Sequence, residues 1–281
     1  MPETMDDQRS PVHSADTSAE PRPFQFTLRQ LMLWVAIFAV ICAWLTWSWN
    51  LRQMTRESGR RAYCMNQLKH LGLALKNYHH DHGHFPPAYI CDENGKPMHS
   101  WRVLILPYMD QQAIYDQYDF SEPWNGPNNS KLAMNLEPYF VADHFQCPSG
   151  NLGGKPLTNY VAVVGPQTMW PEDRCIRLTG ESGAGLDTIQ LIEITNSDIH
   201  WMEPRDLTFE QAAAGIQPKS GLGISSEHPD SVVYLDANYK VHTLEHDTDA
   251  AELRELLTVD PNDPSLETVD ASFESTQQAQ D

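Results

Sequence analysis

From Gln30 to Leu51 the chain reads QLMLWVAIFAVICAWLTWSWNL, without one charged residue, bracketed by Arg29 and Arg52. About 22 residues of helix reach roughly 33 Å, enough to cross a hydrocarbon core of about 30 Å. Trp44, Trp47 and Trp49 cluster toward its far end, where indole rings favour a membrane interface. The apolar stretch is too long for a signal-peptide core, and no small-x-small cleavage site follows it, so it is expected to stay as an anchor. After Arg52 the pattern changes from uniform to periodic. Met65, Leu68, Leu71, Leu75 and Tyr78 recur at steps of three and four, one apolar face of a helix. Together the two patterns predict one long helix from Thr27 to His80, ended by Gly83 and the Pro86-Pro87 pair.

Beyond the prolines the runs shorten. WRVLILPYM (101–109), TNYVAVVG (158–165), TIQLIEIT (188–195) and SVVYLDANYKVHTL (231–244) read as strands, the last as a hairpin turning near Asp236-Ala237-Asn238. Helical patterns fall at 110–118, 130–140, 206–215 and 247–257, the last with Asp247 or Thr248 placed to cap it. Hairpins mixed with peripheral helices predict an α+β fold, with the long N-terminal helix packed on a mostly antiparallel sheet. The expected organisation is a disordered segment (1–26), a transmembrane helix (27–51), an α+β domain (52–257) and a disordered acidic tail (258–281).

Charge narrows the function. The chain carries 19 basic and 38 acidic residues, a net charge of -19, which excludes non-specific binding of nucleic acid. Between Thr258 and Asp281 there is no Lys or Arg; such a segment buries too little apolar surface to offset its ordering entropy. Arg52, Arg56, Arg60 and Arg61 follow the span, and a simple positive-inside count would keep the C-terminal part in the cytoplasm, but that rule is weak for large domains. Cys42 lies in the span. Cys64, Cys91, Cys147 and Cys175 allow three pairings, among which spacing does not choose.

The histidine-rich stretch YHHDHGHFPP offers the clearest candidate metal ligands. His80 and His84 are four apart, and His79 and His82 three apart, spacings suited to zinc or copper on a helix. Gly83 and the prolines, however, fall at the helix end, and no carboxylate or cysteine ligand follows at a known spacing. The expectation is therefore solvent-facing histidines at a helix C-terminus, where their charge suits the dipole, with no metal and no cofactor; His80 and His84 are the pair to watch. No G-x-S-x-G occurs. SGLGISSEHP gathers Ser225, Ser226 and His228 only in sequence, GESGAGLD lacks the Lys-Ser/Thr of a phosphate loop, and no D-x-D-x-D-G calcium loop is present. No catalytic set emerges, so the chain is not expected to be an enzyme.

FTLRQLMLWVAIFAV, RRAYCMNQLKHLGLALKNYHHDHGHFPP, SWRVLILPYMDQQAIYDQYDFSEPWNGPNN, FQCPSG and TNYVAVVGP, in this order, resemble a large family of prepilin-like proteins of unknown function, known mainly from planctomycete bacteria. The resemblance runs from Phe26 to Leu257. Matching positions, read as structural, are Cys64, Tyr78, Gly83, Pro86, Pro87, Trp101, Pro107, Cys147, His228 and Asp236. Members begin with Gly, then Phe-Thr-Leu-x-Glu, and are cut after the Gly. Here Phe26, Thr27 and Leu28 match, but Gln25 stands for the Gly and Gln30 for the Glu, two departures that count against processing and against the assembly ion pair. The family's closing H-P-G-G-x-N, strand, D-G segment is degenerate here: the His228-to-Asp236 spacing is shorter and Ala237 replaces the Gly. The resemblance implies a pseudopilin-like protein of the bacterial cytoplasmic membrane, single-pass, with its N-terminus cytoplasmic and its domain outside. Implied partners are the lipid bilayer and, beyond it, envelope or secretion-type assembly proteins or further copies of the chain. The alternative is a membrane-tethered module that binds a ligand or metal.

Overall fold

The computed structural model describes residues 27–135, 144–150, 152, 155–179, 186–195, 197–217 and 222–270. The chain divides into two compact units, Met1–Arg52 and Gln53–Asp281. The first is described from Thr27, which opens helix α1 (Leu28–His82). The Thr27 hydroxyl accepts the Gln30 N–H at 3.4 Å and Gln30 Oε1 accepts the Thr27 N–H at 3.0 Å, a capping box. In this unit α1 holds an 18-residue window of mean hydropathy 2.1, none of it buried. One helix among the described residues is thus long and apolar enough to cross a membrane.

In the second unit α1 turns amphipathic, as its sequence predicts. Cys64, Leu68, Leu71, Ala74, Leu75 and Tyr78 form its buried stripe. It ends at Gly83, whose φ of 77° only glycine adopts cheaply and whose N–H caps the His79 carbonyl at 2.8 Å. The stripe packs on a four-stranded antiparallel sheet of order β3–β6–β8–β9, where β3 is Tyr160–Val161, β6 Ile189–Glu193, β8 Ser231–Asp236 and β9 Val241–Glu245. Side chains alternate across it. Leu191, Val233 and Leu235 join the core under α1, with Phe85, Trp101 and Tyr160. Ile192, Val232, Tyr234 and Leu244 join a second core on the opposite face, with Leu207, Leu253 and Leu257. Helix and sheet approach closely at Gly72, where an added Cβ would meet Leu235 Cδ1 at 2.9 Å.

Smaller elements close the edges. Strands β1 (Tyr89–Cys91) and β2 (Pro97–Ser100) form a hairpin, β4 (Val163–Val164) runs parallel to β7 (Leu207–Thr208), and β5 (Arg174–Leu178) pairs antiparallel with β10 (Leu266–Asp270). Short helices are α2 (Trp101–Leu104), α3 (Gln112–Tyr115), α4 (Pro127–Asn135), α5 (Phe209–Ala213) and α6 (Ala250–Leu257). The fold is α+β, as its patterns predict.

Three expectations are corrected. The cap of α6 is Asp249, whose side chain accepts the Ala251 N–H at 3.1 Å, and not Asp247 or Thr248. WRVLILPYM is not a strand but α2 followed by a 3₁₀ helix, Leu106–Met109. Trp101 to Leu106 are buried on every side, so periodicity carries no information there. The local signals decide: the Ser100 side chain accepts the Arg102 N–H at 3.3 Å as an N-cap, and Pro107 sits in the first turn of the 3₁₀ helix. The stretch after Thr258 is not featureless either. Val259 is buried, and β10 pairs with β5 along its whole length. Its few apolar residues suffice because they add to an existing strand edge. Residues 1–26 and 271–281, assigned to disordered ends, lie outside the described residues. The hairpin at 231–244 forms as expected. Its left-handed residue is Tyr239, at φ 63°, which is why Ala237 stands for Gly without strain.

Candidate functional site

Glu57, Arg61 and Cys64 follow one another at four and three residues on α1 and share a face. Cys64 is fully buried and bonded to Cys147, 83 residues later. Asn159 fixes Cys147: its Oδ1 accepts the Cys147 N–H at 2.9 Å while its amide donates to the Ile194 carbonyl at 2.6 Å. The pairing that spacing left open is therefore Cys64–Cys147. Cys91 and Cys175 are not disulfide-bonded, and burial pushes the Cys91 thiol up.

His228 lies against the disulfide. Its Nε2 is 3.6 Å from Cys147 Sγ, its Nδ1 meets the Glu57 carboxylate, and its backbone N–H donates to Ser226 Oγ at 3.1 Å. A carboxylate only accepts, so Nδ1 donates to Glu57, and Nε2 is the ring atom that faces the sulfur. Glu193 closes the cluster from β6. Two positions after Leu191, it faces the α1 side of the sheet and is fully buried. Its Oε2 accepts the Ser226 hydroxyl at 2.9 Å. Its Oε1 has no hydrogen-bond partner and lies 3.9 Å from His228 Nε2. Burial pushes the Glu193 carboxyl up to about 7, against the pull of the Ser226 hydroxyl and the Val233 backbone N–H. One ligand atom from each of Cys64, Cys147, Glu193 and His228 lies within 4.8 Å of the others. Glu57, one-fifth exposed, connects this cluster to an open groove of about 670 Å³ lined also by Met54, Arg60, Arg61 and Pro229. Arg61 pairs with Asp230 there.

The other candidate positions fall elsewhere. His80 is exposed beside Asp81 at 3.0 Å. His84 is buried and its Nδ1–H donates to the Phe85 carbonyl at 2.8 Å. His79 Nε2 accepts the Leu178 N–H at 3.0 Å, and its pKa is lowered, first by burial. The expectation of solvent-facing histidines thus holds for His80 and His82 and fails for His84 and His79. The cause is β5, which docks here through the Phe85 N–H to the Ile176 carbonyl at 2.7 Å. His80 and His84 therefore do not meet as a ligand pair. Tyr78 stacks on His82 at 4.1 Å, Pro86 and Pro87 are buried in the turn, and the Trp101 indole donates to Asp206 at 3.2 Å. Asp236 does not pair with His228. It accepts the Asn238 and Lys240 N–H groups at 2.9 and 2.8 Å and bonds His242 at 2.8 Å, which ties the hairpin turn. Gln30 acts as a cap, whereas Gln25 and Phe26 lie outside the described residues.

Glu57 and Glu193 are the site residues that sequence reasoning passed over; Ser226 was weighed only as part of a triad, and it meets His228 through the backbone N–H instead. Glu193 did leave a trace: it is the only charged residue in TIQLIEIT, and a lone acid in an apolar strand is a buried acid in need of a reason.

An α+β domain preceded by a candidate membrane-crossing helix is the class these observations define. Within it, residues 53–179 match the model of a family described as a protein of unknown function (DUF1559). That match takes in Glu57, Cys64 and Cys147 and stops short of Glu193 and His228. No curated protein and no solved structure matches the chain.

Proposed function

We propose that the chain is a non-enzymatic, single-pass membrane protein of the bacterial cell envelope, pseudopilin-like in plan, with its N-terminus cytoplasmic and its domain outside. It would act as a structural or interaction component, joined to other envelope or secretion-type assembly proteins or to copies of itself. The observation that carries this reading is the buried Cys64–Cys147 disulfide, in the unit that follows the charge-free helix. Structural disulfides persist in oxidising compartments and are rare in the cytosol. An external domain on an uncleaved anchor accounts for both features, and the capping box at Thr27 and Gln30 gives that helix a defined start without cleavage. The test is protease added to spheroplasts, with an intact mass of the full chain extracted from native membranes. Digestion of the domain and an uncut chain are expected. A domain protected from protease, or cysteines recovered reduced, defeats the external placement. A mature form beginning at methylated Phe26 would move pilin-type assembly to the front.

A second reading, a tethered module that binds a ligand or metal, is favoured by one observation: a fully buried carboxylate oxygen of Glu193 without a partner, facing a histidine and two sulfurs.

A further inference from the structure

We propose that Cys64, Cys147, His228 and Glu193 become a four-ligand zinc site when the Cys64–Cys147 bond is reduced, so that disulfide and metal are alternative cross-links of one buried cluster. The inference goes beyond the envelope role and does not depend on it.

The cluster is rich in ligand atoms. Glu57 takes Nδ1 of His228, which leaves Nε2 as the ring's ligand atom toward Cys147 Sγ and Glu193 Oε1. The two sulfurs, bonded to each other, donate nothing. Glu193 Oε1 is fully buried and makes no hydrogen bond, while the Ser226 hydroxyl and the Val233 backbone N–H are the donors that pull on the carboxyl. Buried polar atoms of this kind are rare, and each one calls for a cause. A cation supplies what all four atoms lack. Two cysteines, one imidazole and one carboxylate are zinc ligands by type, and soft thiolates select against magnesium and calcium.

The geometry is close to what is needed. With Zn–S about 2.3 Å and Zn–N and Zn–O about 2.0–2.2 Å, tetrahedral ligand atoms stand roughly 3.3–3.8 Å apart. Nε2 already lies 3.6 Å from Cys147 Sγ and 3.9 Å from Glu193 Oε1. The one large change is between the sulfurs, which part once their bond breaks. Supporting contacts are in place: Glu57 behind His228 forms the carboxylate–histidine pair that fixes a metal-binding tautomer, and Ser226 orients Glu193 through its second oxygen. Glu57 also borders the groove, which gives an ion a route in.

The chemistry balances with a dithiol as reductant. Two electrons and two protons pass to the disulfide, the S–S bond breaks, two thiols form, and the dithiol is itself oxidised to a disulfide. Zn²⁺ then displaces the two thiol protons. Two thiolates and one carboxylate bind with a neutral imidazole, leaving one net negative charge on the site.

The test uses the full chain in detergent, carrying Cys91→Ser and Cys175→Ser to remove competing thiols, reduced with a dithiol that is then exchanged out anaerobically. Co²⁺ serves as the probe, read by thiolate charge-transfer and tetrahedral d–d absorption, with Zn²⁺ in competition. One ion per reduced chain and none per oxidised chain are expected. Glu193→Gln and His228→Gln each weaken binding by at least about 10-fold, and Glu57→Gln by about 10- to 100-fold while the oxidised fold is kept. Circular dichroism runs in parallel. A reduced chain that loses structure and regains it with one Co²⁺ also supports the site. Absence of stoichiometric metal on the reduced chain overturns the proposal. So does binding of equal strength in Glu193→Gln and His228→Gln, since the thiols alone would then hold the ion.

Discussion

Among the described residues, two buried polar clusters are built on opposite plans. At the first, Arg102 and Asp206 form an ion pair with neither side chain more than marginally exposed. Every group there is matched: Arg102 also donates to the Tyr160 carbonyl at 3.1 Å and to Ser100 Oγ at 3.0 Å. Asp206 accepts from the Ala162 N–H at 2.8 Å and from the Trp101 indole. The second cluster, around Cys64, Cys147, Glu193 and His228, collects acceptors and leaves one of them unmatched. A closed network of this kind joins α2 to the β3 and β7 regions and needs nothing further. An open one either stores instability or awaits a cation.

Breaking the closed network should cost most. Arg102→Met leaves Asp206 buried without its partner and is expected to lower stability by about 3–5 kcal/mol, read from urea midpoints of the detergent-solubilised chain. A loss under about 1 kcal/mol would mean the pair is replaceable and the contrast overstated. Opening the disulfide without metal comes next. Cys64 and Cys147 close a loop of 83 residues, and the double Ser variant should lose about 2–4 kcal/mol. If the second cluster holds zinc, reduced wild type regains part of that loss as Zn²⁺ is raised, whereas the double Ser variant does not.

Acid probes a third buried group, His99, which is matched on both nitrogens: Nδ1 bonds the Tyr118 hydroxyl at 2.8 Å and Nε2 the Phe120 carbonyl at 3.1 Å. Burial lowers its pKa to about 4, from an ordinary value of 6.5. The unfolded chain therefore binds the proton first on acidification. The stability this neutral ring contributes is complete above pH 6.5 and is lost as pH falls toward 4. Allowing for solvent screening, the loss is roughly 1–2 kcal/mol. His99→Gln should flatten that part of a Tm-against-pH curve; an unchanged slope would assign the acid sensitivity elsewhere. The smallest effect is expected away from both clusters, at the helix end. Gly83→Ala, at a φ of 77°, should cost about 1 kcal/mol, seen as faster amide exchange in the last turn of α1.

Much of the frame was legible. The uniform apolar stretch and the stripe from Met65 to Tyr78 give α1, because helical period survives wherever one face is wet. The hairpin at 231–244 was legible from its turn residues. WRVLILPYM was not, since burial on all sides erases period. Nor was β10: its pairing partner β5 lies about 90 residues upstream, and composition does not encode which edge is open. The site was the least legible part. Its members come from α1, the Cys147 loop, β6 and the loop before β8. Only the lone acid of TIQLIEIT hinted that a strand carried chemistry, while the conspicuous histidines of YHHDHGHFPP divide between solvent (His80, His82) and packing or the docking of β5 (His84, His79).

The Cys64–Cys147 bond also governs what proteolysis can release. A cut anywhere between the two cysteines severs the polypeptide but leaves the C-terminal half tied through sulfur to the helix that carries the apolar segment. Shedding the intact domain by a single cut requires cleavage ahead of Cys64, within α1 itself. Loss of the disulfide would leave each nick between the two cysteines bridged by noncovalent packing alone, so the covalent tie of the C-terminal half to the apolar helix is a redox property.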